Sequence, residues 1–389
     1  MATAPLNRSR DPRDPIQAAK PAGEPVRPGM QCLLELLRGQ GGDRAIEDAE
    51  WETVLALAQA EHVLPWVVAR ARSQQVPLSP AIASRLNEIE REAAITAFYW
   101  SAELQGVLRA FERAGLKAVP LKGPLLAERL YGATALRVSY DLDLLVAKAD
   151  MARAGDALKA IGFTSGVPDD YHCQWYRKGT TVELHHDVEN PLAFNFRVEG
   201  ALRRALSADF QGQPCRQLAA DDELLYLCLH AVRHRFERLS LIVDLQLAFQ
   251  KLAGGEDGFQ LRPEVAGLAS LLILGLAMAR RLQPDLALTL QPPAAPARTR
   301  HLEGLADRLW NRLLTEPGQP PDWRALHAFY LELELPGWPR LGPRLRHLRI
   351  LLGRVIEPDY AFAAKLGFYR TWQVRMLRPL RLLSRVPRR

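Results

Sequence analysis

The sequence predicts an α+β fold: a small mixed β-sheet flanked by an N-terminal and a C-terminal helical region. Three observations predict it. Between 30 and 115 the apolar residues recur at helical spacing. Between 116 and 215 they change to short alternating runs at 117–121, 140–146, 173–177 and 180–185, punctuated by Gly and Pro. From Asp221 onward the helical period returns.

The elements follow in order. Residues 1–29 are rich in Pro, Arg, Asp and Ala and hold no apolar run, so a disordered segment is expected there rather than a signal peptide. In the helical region 30–115, Cys32-Leu33-Leu34-Glu35-Leu36-Leu37 opens one helix. The stretch 51–72 carries Val54, Leu55, Leu57, Ala58 and Val63 at helical spacing, and 93–114 carries another long pattern. Pro77 and Pro80 mark the loop between them.

The α/β core, 116–215, begins with the strand at 117–121. Gly123 permits a tight turn, and Pro124 suits the first position of a helix running to Tyr131, where a missing N–H costs nothing. Gly132-Ala133-Thr134 ends that helix and Arg137 leads into the strand at 140–146. A helix at 148–161 stops at Gly162, and strands at 173–177 and 180–185 complete the sheet. Region 216–340 reads as helical through 221–250, 265–282 and 323–335, and 341–389 as a basic helical tail.

Candidate chemistry gathers on two strands. Asp141 and Asp143 stand two apart, so a strand places both carboxylates on one face while Leu142 and Leu144 point into a core. Two neighbouring carboxylates repel unless a cation lies between them or one is protonated. Mg²⁺ takes one or two carboxylates together with substrate phosphates. Roughly one Asp-x-Asp occurs by chance in a chain this long, so context decides. Here a second alternating run puts Glu183 and His185 on one face, and Leu121-Lys122-Gly123 precedes both strands.

On these residues, with Arg137-Val138-Ser139 before the acidic strand, the chain resembles the nucleotidyltransferase superfamily. More narrowly it is similar to the uncharacterised bacterial nucleotidyltransferases, over about residues 30–280. The resemblance implies transfer of a nucleoside monophosphate from an NTP to a small-molecule, peptide or protein acceptor, with release of pyrophosphate. Asp141, Asp143 and Glu183 are then the catalytic and metal-binding residues, for Mg²⁺ with Mn²⁺ as substitute. Lys122 and Arg137 would neutralise the triphosphate, and Gly123 would let it approach backbone N–H groups at a helix start. Ser139 donates to a phosphate or satisfies its own loop. His185 contacts nucleotide, acts as a base, or is a hydrogen-bonded structural histidine. The resemblance also brings the helix holding His230, His234 and Arg235 near the cleft, with Asp244 bonded to one of them or capping nearby backbone. Pro124 stands where the superfamily has Ser or Gly, so one phosphate contact of the pattern is open to question, with Lys122 beside it able to supply positive charge instead; the departure leaves room for a non-catalytic nucleotide-binding or interaction module on the same fold.

Composition narrows the remaining classes. The 389 residues are 48% hydrophobic, enough for a sizeable core, and the net charge is +7. Cys32, Cys173, Cys215 and Cys228 show no C-x-x-C spacing and read as free thiols of a reducing, cytoplasmic compartment. The longest apolar run, 265–279, is too short for a membrane span. His230 and His234 are one helical turn apart, a metal-compatible spacing that lacks a third ligand for zinc. P-loop, G-x-S-x-G and G-x-G-x-x-G motifs are absent. The tail concentrates arginine with interleaved Leu, Trp and Phe. It packs an apolar stripe on the body or binds an anionic lipid or nucleic-acid surface, the latter allowing a nucleic-acid-end-modifying enzyme.

Overall fold

A computed structural model describes residues 26–42, 45–168, 171–188, 194, 196–252, 259–260, 262, 268–288, 290–291, 295–316 and 318, and, farther on, 326, 329–330, 332–333, 362–363, 365–366, 373 and 376–377. Four helices come first: α1 (Met30–Arg38), α2 (Asp48–Ala60), α3 (Leu64–Ser73) and α4 (Pro80–Arg113). The α/β core then runs β1 (Val119–Pro120), α5 (Pro124–Tyr131), β2 (Leu142–Leu145), α6 (Met151–Ala160), β3 (Thr164–Pro168), β4 (His172–Arg177) and β5 (Thr180–His185). After it come α7 (Val198–Arg204), the hairpin β6 (Leu206–Phe210) and β7 (Gln213–Gln217), α8 (Ala220–Arg233) and α9 (Leu239–Leu252). The last described elements are β8 (Phe259–Gln260), α10 (Ala269–Leu282), β9 (Leu290–Gln291) and α11 (Pro296–Thr315). The fold is α+β, as the periodicities predict. No described helix is long and apolar enough to cross a membrane.

The central sheet has the order β1-β2-β5-β4-β3 and is mixed. β2 runs parallel to β5, while β1 is antiparallel to β2 and β4 antiparallel to β5 and β3. Alternation along β2 splits its side chains between two apolar clusters. Leu142 and Leu144 enter one with α4, α6 and Trp175. Leu145 enters the other, built from α1–α3, α5 and α8–α11. All three leucines are fully buried, each contributing about 1.5–3 kcal/mol of burial free energy. Asp143 shares the face of Leu145 and looks toward the second cluster.

Several sequence expectations are corrected. The stretch 51–72 is two helices, α2 and α3, because Glu61 is drawn into tertiary bonds and His62 takes a left-handed φ of 57°. The stretch 221–250 likewise divides into α8 and α9 at Arg235 and Phe236, with φ of 51° and 54°. Pro80 is no loop residue: it starts α4, and Ser79 caps it by accepting from the Ile82 N–H at 3.2 Å. Strand β3, helix α7, the β6–β7 hairpin, the β8–β9 pair and helix α11 were not anticipated. Residues 1–25, positions 265–267, most of 323–335 and most of the tail at 341–389 lie outside the described residues.

Candidate active site

The acidic residues are brought together by strand register. In the parallel β2–β5 pair Asp143 stands opposite Glu183, and Leu145 opposite His185. Side chains on neighbouring strands at one level share a face, so both carboxylates and the imidazole converge. His185 Nε2 lies 3.0 Å from Asp143 Oδ1 and 3.4 Å from Glu183 Oε2. Lys122 Nζ lies 2.9 Å from Asp143 Oδ2. Gln174, opposite Glu183 on β4, donates to Glu183 Oε1 at 2.8 Å. Asp143, Glu183 and His185 form a group whose ligand atoms all lie within 4.8 Å of one another.

Asp141 sits just before β2, half-buried. Its pKa is raised to about 6 by burial and by the Asp143 charge, with Lys122 opposing. Burial also pushes Asp143 upward, but the Lys122 charge and the His185 hydrogen bond outweigh it and hold that carboxyl well below its ordinary range. Glu183 is likewise held low, burial being overcome by hydrogen bonds from His185 and Gln174. His185 moves the other way: burial lowers it, but its bonds to the two carboxylates raise it above 6.5 overall.

In front of these groups lies a cleft of about 280 Å³. Lys122, Gly123, Arg137, Ser139, Asp141, Glu183, His230 and His234 all line it. Gly123 has φ 75°, a conformation that a side chain would strain, and it hands the chain to Pro124 at the first turn of α5. Arg137 makes a two-pronged pair with Asp244, Nε to Oδ1 at 2.9 Å and Nη2 to Oδ2 at 2.9 Å. Tyr131 adds its hydroxyl to Asp244 Oδ1 at 2.6 Å. Asp244 therefore serves Arg137 and Tyr131, where the sequence reading gave it to the histidine helix or to nearby backbone. His230 is half-buried and pushed well below 6.5 by desolvation and by Lys122. Arg235 is not part of the cleft lining; Arg233 and Arg238 are.

Three contributors had no strong signal in the sequence. Gln174 is legible only once β4 is registered against β5. His62 and Arg238 come from the α2–α3 and α8–α9 connections, which periodicity had read as continuous helix. The carboxylates of Asp141, Asp143 and Glu183 supply hard oxygen donors, the type that Mg²⁺ prefers, and so the donor set fits that ion.

A family model described as uncharacterised nucleotidyltransferase matches residues 47–284, more than half of the chain. Among solved structures, the chain is similar to the antibiotic-resistance factor ANT(2'')-Ia in solution, with TM-score 0.32 and 14% identity, covering 47% of this chain and 94% of that one. It is also similar to ANT(2'')-Ia in complex with adenylyl-2''-tobramycin, with TM-score 0.32 and 15% identity, covering 44% and 95%. An antigenic nucleotidyltransferase-like protein from Paracoccidioides brasiliensis gives TM-score 0.35 and 14% identity, covering 48% and 89%. No curated protein matches the chain.

Proposed function

Because the chain belongs to the uncharacterised nucleotidyltransferase family, we propose that it moves a nucleoside monophosphate from an Mg²⁺-bound NTP to an acceptor and releases pyrophosphate. The observation that carries this reading is the Asp143–Glu183 register beside Asp141 at a cleft of nucleotide-compatible chemistry. An acceptor oxygen or nitrogen forms the new bond to the α-phosphorus, the bond from that phosphorus to the bridging oxygen of pyrophosphate breaks, and the acceptor's proton leaves. Asp141, Asp143 and Glu183 would hold the metal, with Mn²⁺ as substitute. Mg²⁺ held there would neutralise charge on the attacking and leaving oxygens.

The protein's own groups have separable tasks. Gln174 and His185 fix Glu183 from either side, so its carboxylate is oriented before substrate arrives. It completes the ligand set or takes the acceptor's proton. The Gly123 turn leaves room for phosphate oxygens at the start of α5. Lys122 lines the cleft and brings an ammonium to the triphosphate, while Ser139 supplies a hydroxyl donor at the same wall. Arg137 is committed to Asp244, so its contribution is the positive field of a fixed guanidinium rather than a free prong.

One observation favours a second reading, a non-catalytic nucleotide-binding or interaction module. Both Asp143 oxygens already face nitrogen groups, Lys122 and His185, so its charge is balanced without a metal. Two measurements separate the readings. Mg²⁺–NTP is expected to raise the Tm by mass action, and Asp141→Asn with Asp143→Asn to abolish that rise while the fold persists. Incubation with each α-labelled NTP, Mg²⁺ or Mn²⁺ and a lysate is then expected to give a labelled product. A normal Tm response in the double variant refutes the site. Nucleotide binding without any labelled product favours the module.

A further inference from the structure

The cleft wall contributed by the helical regions is formed at two inter-helix connections. Its two connections hold non-glycine residues in the left-handed region: His62 in α2–α3, Arg235 and Phe236 in α8–α9. Such conformations persist where surrounding structure over-determines them, and they cluster at ligand-binding positions. Here the over-determination comes from Glu61, which is 1% exposed. Its carboxylate accepts from the Leu239 N–H at 2.9 Å and from Arg27 at 2.6 Å, and its carbonyl accepts from the Ser240 N–H at 3.2 Å. The end of α2 is thereby stapled to the start of α9, which sets His62 beside Arg238.

Arg238 Nη1 lies 3.2 Å from His62 Nδ1. A guanidinium only donates, so Nδ1 must be the acceptor and the imidazole proton is on Nε2. Burial, Arg238 and Arg137 lower the His62 pKa, and Glu237 in the same lining opposes them without reversing the shift, in keeping with the neutral ring that this geometry requires. The pair thus presents donors without a matching acceptor. Lys122 has Asp143 and Arg137 has Asp244, whereas Arg238 has no carboxylate partner among the described residues. A half-buried guanidinium in that state calls for an anion. Tyr140, which is 55% exposed and adjoins Asp141, places its ring 4.9 Å from that of His62. The wall is therefore continuous with the acidic strand.

We propose that Arg238 and His62, with Tyr140 beside them, form the acceptor subsite, and that it takes an acceptor carrying a phosphate or carboxylate group. The proposal rests on the transferase reading above. Lys122 and the Gly123 turn already serve a triphosphate, so the Arg238 charge is additional to what the nucleotide needs. An oxyanion on the acceptor has the matching chemistry: two N–H donors for its oxygens and an aromatic face for whatever adjoins it.

The test uses the full chain and inorganic phosphate as probe, measured by calorimetry without nucleotide and again with Mg²⁺ and α,β-methylene-ATP. Wild type is expected to bind phosphate in both states. Arg238→Gln should weaken that binding about tenfold or more, as loss of a charge-assisted hydrogen bond does. His62→Asn, chosen because Asn tolerates left-handed backbone, should weaken it less. Neither should change the affinity for α,β-methylene-ATP. Arg238→Lys keeps the charge without the planar fork; it should give an intermediate loss and replaces the Gln variant if that fails to fold. Unchanged phosphate binding in the Arg238 variants overturns the subsite. Weakened nucleotide binding with phosphate binding intact reassigns the wall to the triphosphate and overturns the acceptor role. If wild type binds phosphate through Arg238 but no nucleotide, the transferase reading fails and the acceptor role with it, while the anion site remains visible.

Discussion

Arg137 shows how the sequence can single out a residue without revealing the partner that fixes it. The sequence marks it through its place before the acidic strand, and it does line the cleft. Its guanidinium, however, is spent on Asp244, which is 2% exposed and holds Tyr131 as well. Removing one member of such a pair leaves a buried charge uncompensated, which costs about 3–5 kcal/mol. Arg137→Ala is accordingly expected to lower stability by about that amount in urea unfolding, whether or not nucleotide is present. Glu183→Gln should behave in the opposite manner. It is near-isosteric, so stability changes little, while turnover falls roughly 10²-fold with nucleotide affinity nearly unchanged. Equal turnover in variant and wild type, measured once an acceptor is known, would remove Glu183 from the chemistry. A period of two was enough to put Glu183 and His185 on one face, while the resemblance supplied the roles proposed for the three acids. Gln174, His62 and Arg238 were not legible, since each depends on which strand or loop lies across from it.

At the scale of elements, periodicity found α1–α6, α8–α10 and the strands β1, β2, β4 and β5, but it passed over α7 and α11 and missed where a helix is interrupted. The local signal was Pro65, which cannot continue a helix past 61 and instead sits in the first turn of α3, while Glu61 caps α9, a segment far along the chain. The β6–β7 hairpin had a usable signal, since Gln211 and Gly212 both take left-handed φ and Asp209 accepts from the Gly212 N–H at 2.7 Å. Its exposed Leu206 weakened the alternation. Glycine in α6 gives an element-scale prediction. In a free helix, changing Gly155 to Ala gains roughly 1 kcal/mol of propensity. Here the added methyl would come within 2.8 Å of Trp175 Cζ2 on β4. Overpacking of that kind costs about 1–3 kcal/mol, so Gly155→Ala should lower Tm, and pairing it with Trp175→Phe should recover part of the loss.

The molecule as a whole has two apolar clusters and one described cleft: β2 with the residue before it and β5 supply the acids, the segments flanking α5 supply Lys122 and Arg137, and α8 with the α8–α9 connection supplies Arg233 and Arg238. Charge is unevenly divided in a different way. Residues 341–389 hold twelve Lys and Arg against Glu357 and Asp359, so the first 340 residues alone carry a net charge of −3 within a chain of +7. Removing 341–389 is therefore expected to abolish retention on a cation exchanger and salt-sensitive cosedimentation with acidic vesicles, while sparing Mg²⁺–nucleotide binding. Vesicle binding that survives truncation would locate the cationic surface elsewhere, and unfolding on truncation would mean that the apolar stripe of the tail is part of the core.

The Glu61 staple also sets an order of assembly during synthesis. The acidic half of the site is complete once residue 185 has left the ribosome, but the wall facing it waits for Leu239 to reach Glu61. At about 5–20 residues per second, that interval is roughly 3–10 s. Through it, the nascent chain carries three carboxylates with Lys122 as their near cation and no Arg238 opposite. On the proposed roles, selectivity for an acceptor would arise after the capacity to hold a metal, and a chain that stops short of α9 has the acids without the wall.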